Sequence, residues 1–297
     1  MSSEENGKST EVESCDELEE IEIHLLLEGI YSHYGFDFRN YVSASIRRRI
    51  WYRIRAERLK NVSSLQEKVL HDPSVMARLL SDFSIHVSEM FRNPRFFESF
   101  RKNVVPLLKE LPFVRIWHAG CSTGEEVYSM AIILHEEGLY HKTKIYATDM
   151  NEDLLKKAKE GVYLLDKMRD YMDNYRIAGG MKELAEYFEV CTDKAIFYPF
   201  LTQNVVFAQH NLATDHSFNE FHVIICRNVM IYFDKVLQNR VHGLFNESLC
   251  TSGILGLGDK EDIAFNHHSQ CYEAFDPEQK IYRKVKLPDS LNTVTGP

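Results

Sequence analysis

Ala119-Gly120-Cys121-Ser122-Thr123-Gly124-Glu125-Glu126 joins a short β-prone run, Val114-Arg115-Ile116-Trp117-His118-Ala119, to a helical pattern that continues to His135. A strand that feeds a glycine-bearing turn, which then opens a helix, is the first unit of a nucleotide-type α/β sheet. Gly120 and Gly124 are read as letting the backbone approach a ligand closely. Phosphate is disfavoured. The turn has no GKS or GKT lysine, and two glutamates occupy the helix start, where an anion would otherwise bind.

The same rhythm extends on both sides. Lys144-Ile145-Tyr146-Ala147-Thr148 is a second strand, ending at Asp149, 29 residues after Gly120. An acid there fits the hydroxyls of a ribose. Asn151 caps the next helix and Gly161 stops it. Val205-Val206-Phe207-Ala208, Val223-Ile224-Ile225-Cys226 and, more weakly, Ile254-Leu255-Gly256-Leu257 are further strands. Strands alternating with helices predict an α/β fold, Rossmann-like, with a doubly wound, mainly parallel sheet. Residues 162–204 break the rhythm, with a Gly179-Gly180 turn and two short strands, and are read as a small inserted antiparallel β-subdomain. Gln209-His210-Asn211-Leu212 and Cys226-Arg227-Asn228-Val229 end strands at the same sheet edge as Asp149. The ligand is then an adenosine compound without a triphosphate grip, either NAD or S-adenosylmethionine; the absence of a full GxGxxG lowers NAD.

Upstream, Ile21 to about Glu110 is helical. Ile46, Ile50 and Ile54 form a core stripe. Ser64 with Glu67 has capping-box spacing. Asp72-Pro73 and Asn93-Pro94 are helix starts. Seven basic residues (Arg47, Arg48, Arg49, Arg53, Arg55, Arg58, Lys60) fall within 14 positions around the stripe. A solvated face, a nucleic-acid surface and a docking face for an acidic protein are the three readings of that helix. The chain of 297 residues carries a net charge of −9, of which residues 1–22 hold −8; the other 275 residues sum to −1. A near-neutral body without nucleic-acid motifs disfavours nucleic acid. The expected layout is an acidic disordered leader over residues 1–22, a helical substrate-docking domain over 23–110, a cofactor-binding domain over 111–287 and a tail over 288–297. No secretory signal or span is read, and six cysteines without a CxxC pair read as reduced thiols of a cytoplasmic protein. No histidine spacing matches a metal site.

These motifs, in this order, resemble the chemotaxis-receptor glutamate methyltransferases of the CheR type. The resemblance covers residues 24–286. It rests on Tyr34-Gly35-Phe36-Asp37-Phe38, Ser88-Glu89-Met90-Phe91-Arg92-Asn93-Pro94, Ala119 through Tyr128, Ala147-Thr148-Asp149, Asn211-Leu212 and Cys226 through Phe233. It implies S-adenosylmethionine as cofactor, with S-adenosylhomocysteine as product. The implied reaction is methyl-ester formation on glutamates of the helical cytoplasmic domains of chemoreceptors. The implied cofactor contacts are His86, Ser88, Arg92, Glu126, Asp149, Asn211, Leu212, Arg227 and Asn228, to which the reading of the turn adds Gly120. Arg92 and Tyr232 are the implied catalytic pair, and Arg47, Arg49 and Arg53 lie on the implied receptor-docking helix. No metal, nucleic acid or membrane insertion is implied, and a monomer is expected. A weakly active cofactor-binding scaffold, or a methyltransferase acting on another protein or a small molecule, are the alternative readings. They are motivated by His86 and Ser88 in place of Asn and Thr, by Gly258-Asp259-Lys260-Glu261 in place of a Ser-Glu-Asn-like segment, by the adjacent glycines of the subdomain and by the acidic leader.

Overall fold

The computed structural model describes residues 5–84, 88–264 and 266–285, with side chains from residue 17 onward. The chain divides into two compact units. The first comprises residues 1–85 with 232–237, and the second residues 86–231 with 238–297.

The first unit is built from α1 (Glu5–Tyr34), α2 (Ser43–Ala56), α3 (Val62–His71) and α4 (Pro73–Phe83). Ile46, Ile50 and Ile54 are buried, as the stripe predicts. Asp72 caps α4 by accepting the Ser74 N–H, with Pro73 in the first turn. The Ser64–Glu67 box does not form. Asn61, in extended conformation, caps α3 instead by accepting the Ser64 N–H at 3.0 Å. The acidic stretch also differs from expectation, because α1 already runs from Glu5. Glu19 accepts from Arg47 (2.7 and 2.9 Å) and from the Trp51 indole (2.6 Å), and Glu22 accepts from Ser63. Arg47 thus neutralises one carboxylate of the acidic stretch. Residues 232–237 complete this unit. The Val42 N–H donates to the Tyr232 carbonyl at 2.8 Å, the Asp234 N–H donates to the Asn40 carbonyl at 2.9 Å, and the Tyr41 and Phe233 rings meet edge to face.

The second unit opens with α5 (Pro94–Ser99), a π-turn and α6 (Val105–Lys109), which were expected in the helical domain. They belong with the sheet because Phe96, Phe97 and Phe100 are buried in its core. Gly256, which has no side chain, leaves the room that Phe96 fills. The sheet-building elements are β1 (Val114–Ala119), α7 (Glu125–Glu136), β2 (Thr143–Asp149) and α8 (Glu152–Glu160). β3 (Val162–Leu164), α9 (Met168–Ile177), β4 (Phe188–Cys191) and β5 (Lys194–Phe197) form the insertion, after which the main sheet resumes with β6 (Val205–Gln209), β7 (Phe221–Cys226), α10 (Lys235–Ser248), β8 (Leu249–Leu257), β9 (Tyr272–Asp276) and β10 (Ile281–Lys284). The main sheet has the order β6-β2-β1-β7-β8-β10-β9. Its first five strands are mutually parallel; β10 pairs antiparallel to β8 and β9 antiparallel to β10. The last two strands were not read from sequence. The inserted β3, β5 and β4 form a separate antiparallel sheet, as expected for residues 162–204.

Buried polar groups fasten that insertion. Glu136, at the end of α7, accepts from Arg101, from the Tyr175 hydroxyl and from the Tyr187 hydroxyl at 2.8 Å. A Cβ at Gly180 would stand 2.3 Å from the Tyr175 ring, so packing against that ring requires glycine there. Among the described residues no helix is long and apolar enough to cross a membrane. No group of three or more His, Cys, Asp or Glu side chains gathers there as a metal cluster either.

Candidate active site

In an open α/β sheet, ligands bind outside the carboxyl ends of the parallel strands. Here those ends bring together the 120–124 turn after β1, Asp149 at the end of β2, Asn211-Leu212 after β6 and Arg227-Asn228 after β7.

The turn after β1 is fixed from both sides. The Gly120 and Cys121 N–H groups both donate to the Thr148 carbonyl at 2.8 Å. Gly120 has φ +78°, and a Cβ there would lie 2.6 Å from Val229 Cγ2. Gly124 has φ +91° and would meet Ala158 Cβ at 2.8 Å. The space left by both glycines is therefore filled by protein atoms. They serve a left-handed backbone and close packing between the turn and its neighbours.

Asp149 reaches back to the turn. Its Oδ2 accepts the Ser122 N–H at 2.9 Å and its Oδ1 accepts the Asn151 N–H at 3.0 Å. Ser122, itself left-handed at φ +51°, keeps a buried hydroxyl with no partner. A buried hydroxyl left unsatisfied beside a carboxylate, in a small-residue turn, fits a bound polar ligand. The donor set also fits a nucleoside, with Asp149 accepting from hydroxyls and Asn211 and Asn228 able to read a base edge. In this structure Asn211 turns its side-chain oxygen onto the Ala213 N–H, and Leu212 is buried beneath it.

Glu126 and Arg227 form the electrostatic centre. Arg227, whose side chain is 2 % exposed, donates from Nη1 to Glu126 Oε2 at 3.0 Å. Glu126 Oε1 lies 3.0 Å from His118 Nδ1. Burial pushes the Glu126 carboxyl up, but the His118 hydrogen bond and the Arg227 charge outweigh it and hold the group below its ordinary range. Arg227 Nη2 donates to the Arg92 carbonyl and to Asn93 Oδ1, both at 3.0 Å, and the guanidinium lies 4.2 Å from the Phe96 ring centroid. Asn93 thus holds Arg227 with its side chain instead of capping α5, the role read from sequence. Phe91 and Asn93 both have positive φ, +53° and +54°. The Phe91 N–H donates to the buried Ser129 hydroxyl at 2.8 Å. Two non-glycine residues in the left-handed region flank Arg92, and two side-chain anchors keep them there.

Of the sequence candidates, Ser88, Arg92, Gly120, Glu126, Asp149, Asn211, Leu212, Arg227 and Asn228 all lie in the second unit. His86 lies outside the described residues. Tyr232 belongs to the first unit, where the Arg49 guanidinium stands 5.4 Å from its ring centroid. The docking arginines divide. Arg49 is buried and donates to the Phe83 carbonyl, and Arg53 pairs with Asp82 at 2.6 Å and with Glu57 at 3.2 Å. Arg47 keeps a half-exposed side chain while holding Glu19. Arg48, Arg55, Arg58 and Lys60 are exposed. The sequence reading missed His118, which contacts Glu126 from β1. Its signal was the spacing His118 to Glu126, one strand end to one helix turn.

Comparison with known proteins gives a consistent picture. Residues 86–278 match the family model described as CheR methyltransferase, SAM binding domain, and residues 21–84 match CheR methyltransferase, all-alpha domain. A Pseudomonas putida protein that bears the name Cher3 is 52 % identical over 265 residues, spanning 89 % of this chain and 97 % of its own. The chemotaxis protein methyltransferase of Listeria monocytogenes is 29 % identical, over 77 % of this chain and 85 % of its own. That of Borreliella burgdorferi is also 29 % identical, over 82 % and 89 %.

Proposed function

Since the chain belongs to the CheR methyltransferase family and carries its S-adenosylmethionine-binding domain, we propose that it esterifies glutamate side chains on the helical cytoplasmic domains of chemoreceptors. S-adenosylmethionine supplies an activated methyl group on a sulfonium. The protein's task is to hold cofactor and acceptor in line.

The residue types suit that task. A glutamate, with an unperturbed pKa of about 4.3, is already ionised at neutral pH and needs no general base. Orientation of the reacting groups then supplies up to about 7–11 kcal/mol of the barrier reduction. We assign Asp149 to the ribose hydroxyls, Asn211, Leu212 and Asn228 to the adenine end, and Glu126 to the ammonium of the methionine part. Arg92 orients the incoming carboxylate as a two-pronged donor. Ser88, His86 and Arg227 complete the cofactor side, Arg227 acting largely through Glu126 and the Arg92 backbone. Acceptor docking is assigned to α2, with Arg47 and the exposed Arg48 and Arg55 as its charged face and Arg49 and Arg53 as its internal anchors. The observation that carries the reading is the anchoring of the left-handed Phe91–Asn93 segment to Arg227 and Glu126, at the sheet edge that also bears Asp149.

The test is transfer of labelled methyl from S-adenosylmethionine to membranes containing chemoreceptors. Base-labile label, released as methanol, is expected. Alkali-stable label, or label only on other proteins, refutes the acceptor.

A further inference from the structure

Glu261 lies in the segment that departs from the family resemblance, and its carboxylate is buried; the residue is 4 % exposed. Four backbone amides donate to it. Oε2 accepts from Asn228 at 2.9 Å and from Gly258 at 2.7 Å; Oε1 accepts from Val229 at 2.9 Å and from Met230 at 2.8 Å. Three of these donors are successive residues. They point at one centre because Asn228 stands in the left-handed region at φ +61°, which turns its own N–H and the next ones inward. Such an array of N–H groups is an anion-binding concavity, and here a side chain of the same chain fills it. Gly258 is matched to the arrangement. A Cβ at that position would lie 2.7 Å from Glu261 Oε2, 2.8 Å from the Asn228 nitrogen and 3.0 Å from Asn228 Nδ2.

We propose that Glu261 is a positioning residue for the cofactor site: its carboxylate fixes the 227–230 loop and thereby sets the direction of the Asn228 and Arg227 side chains. The carboxylate is the part that cannot be replaced. Glutamine has the same shape but turns an NH2 group toward two N–H donors, so two acceptors are lost and donor faces donor. Aspartate is one methylene too short to reach all four amides. The changes at Asp259 and Lys260, both exposed, leave this clamp intact, so the altered segment keeps its working residue. The inference rests on the S-adenosylmethionine reading of the site, but its test does not require methyl transfer.

The experiment is calorimetric titration of the full-length chain with S-adenosylhomocysteine, for wild type, Glu261→Gln and Gly258→Ala, with circular dichroism to confirm folding. The dissociation constant is expected to rise ten- to a hundredfold in both variants, and in turnover assays the cofactor KM rises while the acceptor KM stays within twofold. Should Glu261→Gln fail to fold, Gly258→Ala disturbs the same clamp from the other side and decides the matter. Variants that bind within twofold of wild type overturn the clamp, even if their melting temperature drops. A wild type that binds no S-adenosylhomocysteine refutes the cofactor reading instead, and the two failures are thus distinguished.

Discussion

Replacing Arg227 by methionine removes a buried cation while keeping most of the side-chain volume. Three hydrogen bonds of 3.0 Å disappear, to Glu126, to the Arg92 carbonyl and to Asn93. The larger effect is on Glu126, whose side chain is 19 % exposed and keeps the His118 ring nitrogen at 3.0 Å. Breaking a buried pair by deleting one member costs about 3–5 kcal/mol, because the remaining charge stays desolvated. At about 2–4 °C per kcal/mol for a domain of this size, the melting temperature falls by roughly 10 °C. The double variant Arg227→Met with Glu126→Gln removes the stranded charge and is expected to recover about 2 kcal/mol relative to the sum of the singles. Urea unfolding of wild type, both single variants and the double variant measures this coupling. A loss below about 1 kcal/mol for Arg227→Met, or additive singles within about 0.5 kcal/mol, would refute the reasoning, since the pair would then be solvent-screened.

Asp149→Ala removes the acceptor of the Ser122 and Asn151 N–H groups; hydrogen bonds to a charged group contribute about 1.5–3 kcal/mol, so S-adenosylhomocysteine affinity should fall by about 10- to 100-fold in a titration. Arg92→Ala should lower turnover chiefly in kcat, by about 100-fold; equal turnover would remove Arg92 from the mechanism. His242 is 2 % exposed, and burial, reinforced by nearby His268, lowers its pKa to about 4. The unfolded chain therefore binds a proton between about pH 6.5 and 4 that the fold excludes; this contribution to stability is present above pH 6.5 and lost as pH falls. Between pH 7.5 and 5 wild type should lose about 2 kcal/mol more than His242→Gln, and parallel pH curves would disprove the assignment.

The turn at 119–126, the strand ends at Asp149 and Cys226 and the apolar stripe of α2 were legible because local chemistry determines them: a glycine turn, a cap, a period of two or of 3.6. Asp72, Asn151 and Gly161 act in the structure as their local sequence indicates. Long-range pairing was not legible. Nothing near Asn93 announces that its side chain serves Arg227, 134 residues away, rather than the first turn of its own helix. Glu261 likewise reads as one acid in a polar loop until the fold places four amides around it.

The amino-acid sequence by itself determined the alternation of strands and helices, the inserted subdomain and the residue types gathered at the sheet edge. Only the tertiary structure decided that α5 and α6 join the sheet, that α1 begins within the acidic stretch, and that Arg49 and Arg53 are internal anchors. Each of these outcomes is a choice between water and a distant partner. Local pattern gives a side chain's chemistry, but whether its charge is solvated or paired depends on what the fold brings within about 3 Å.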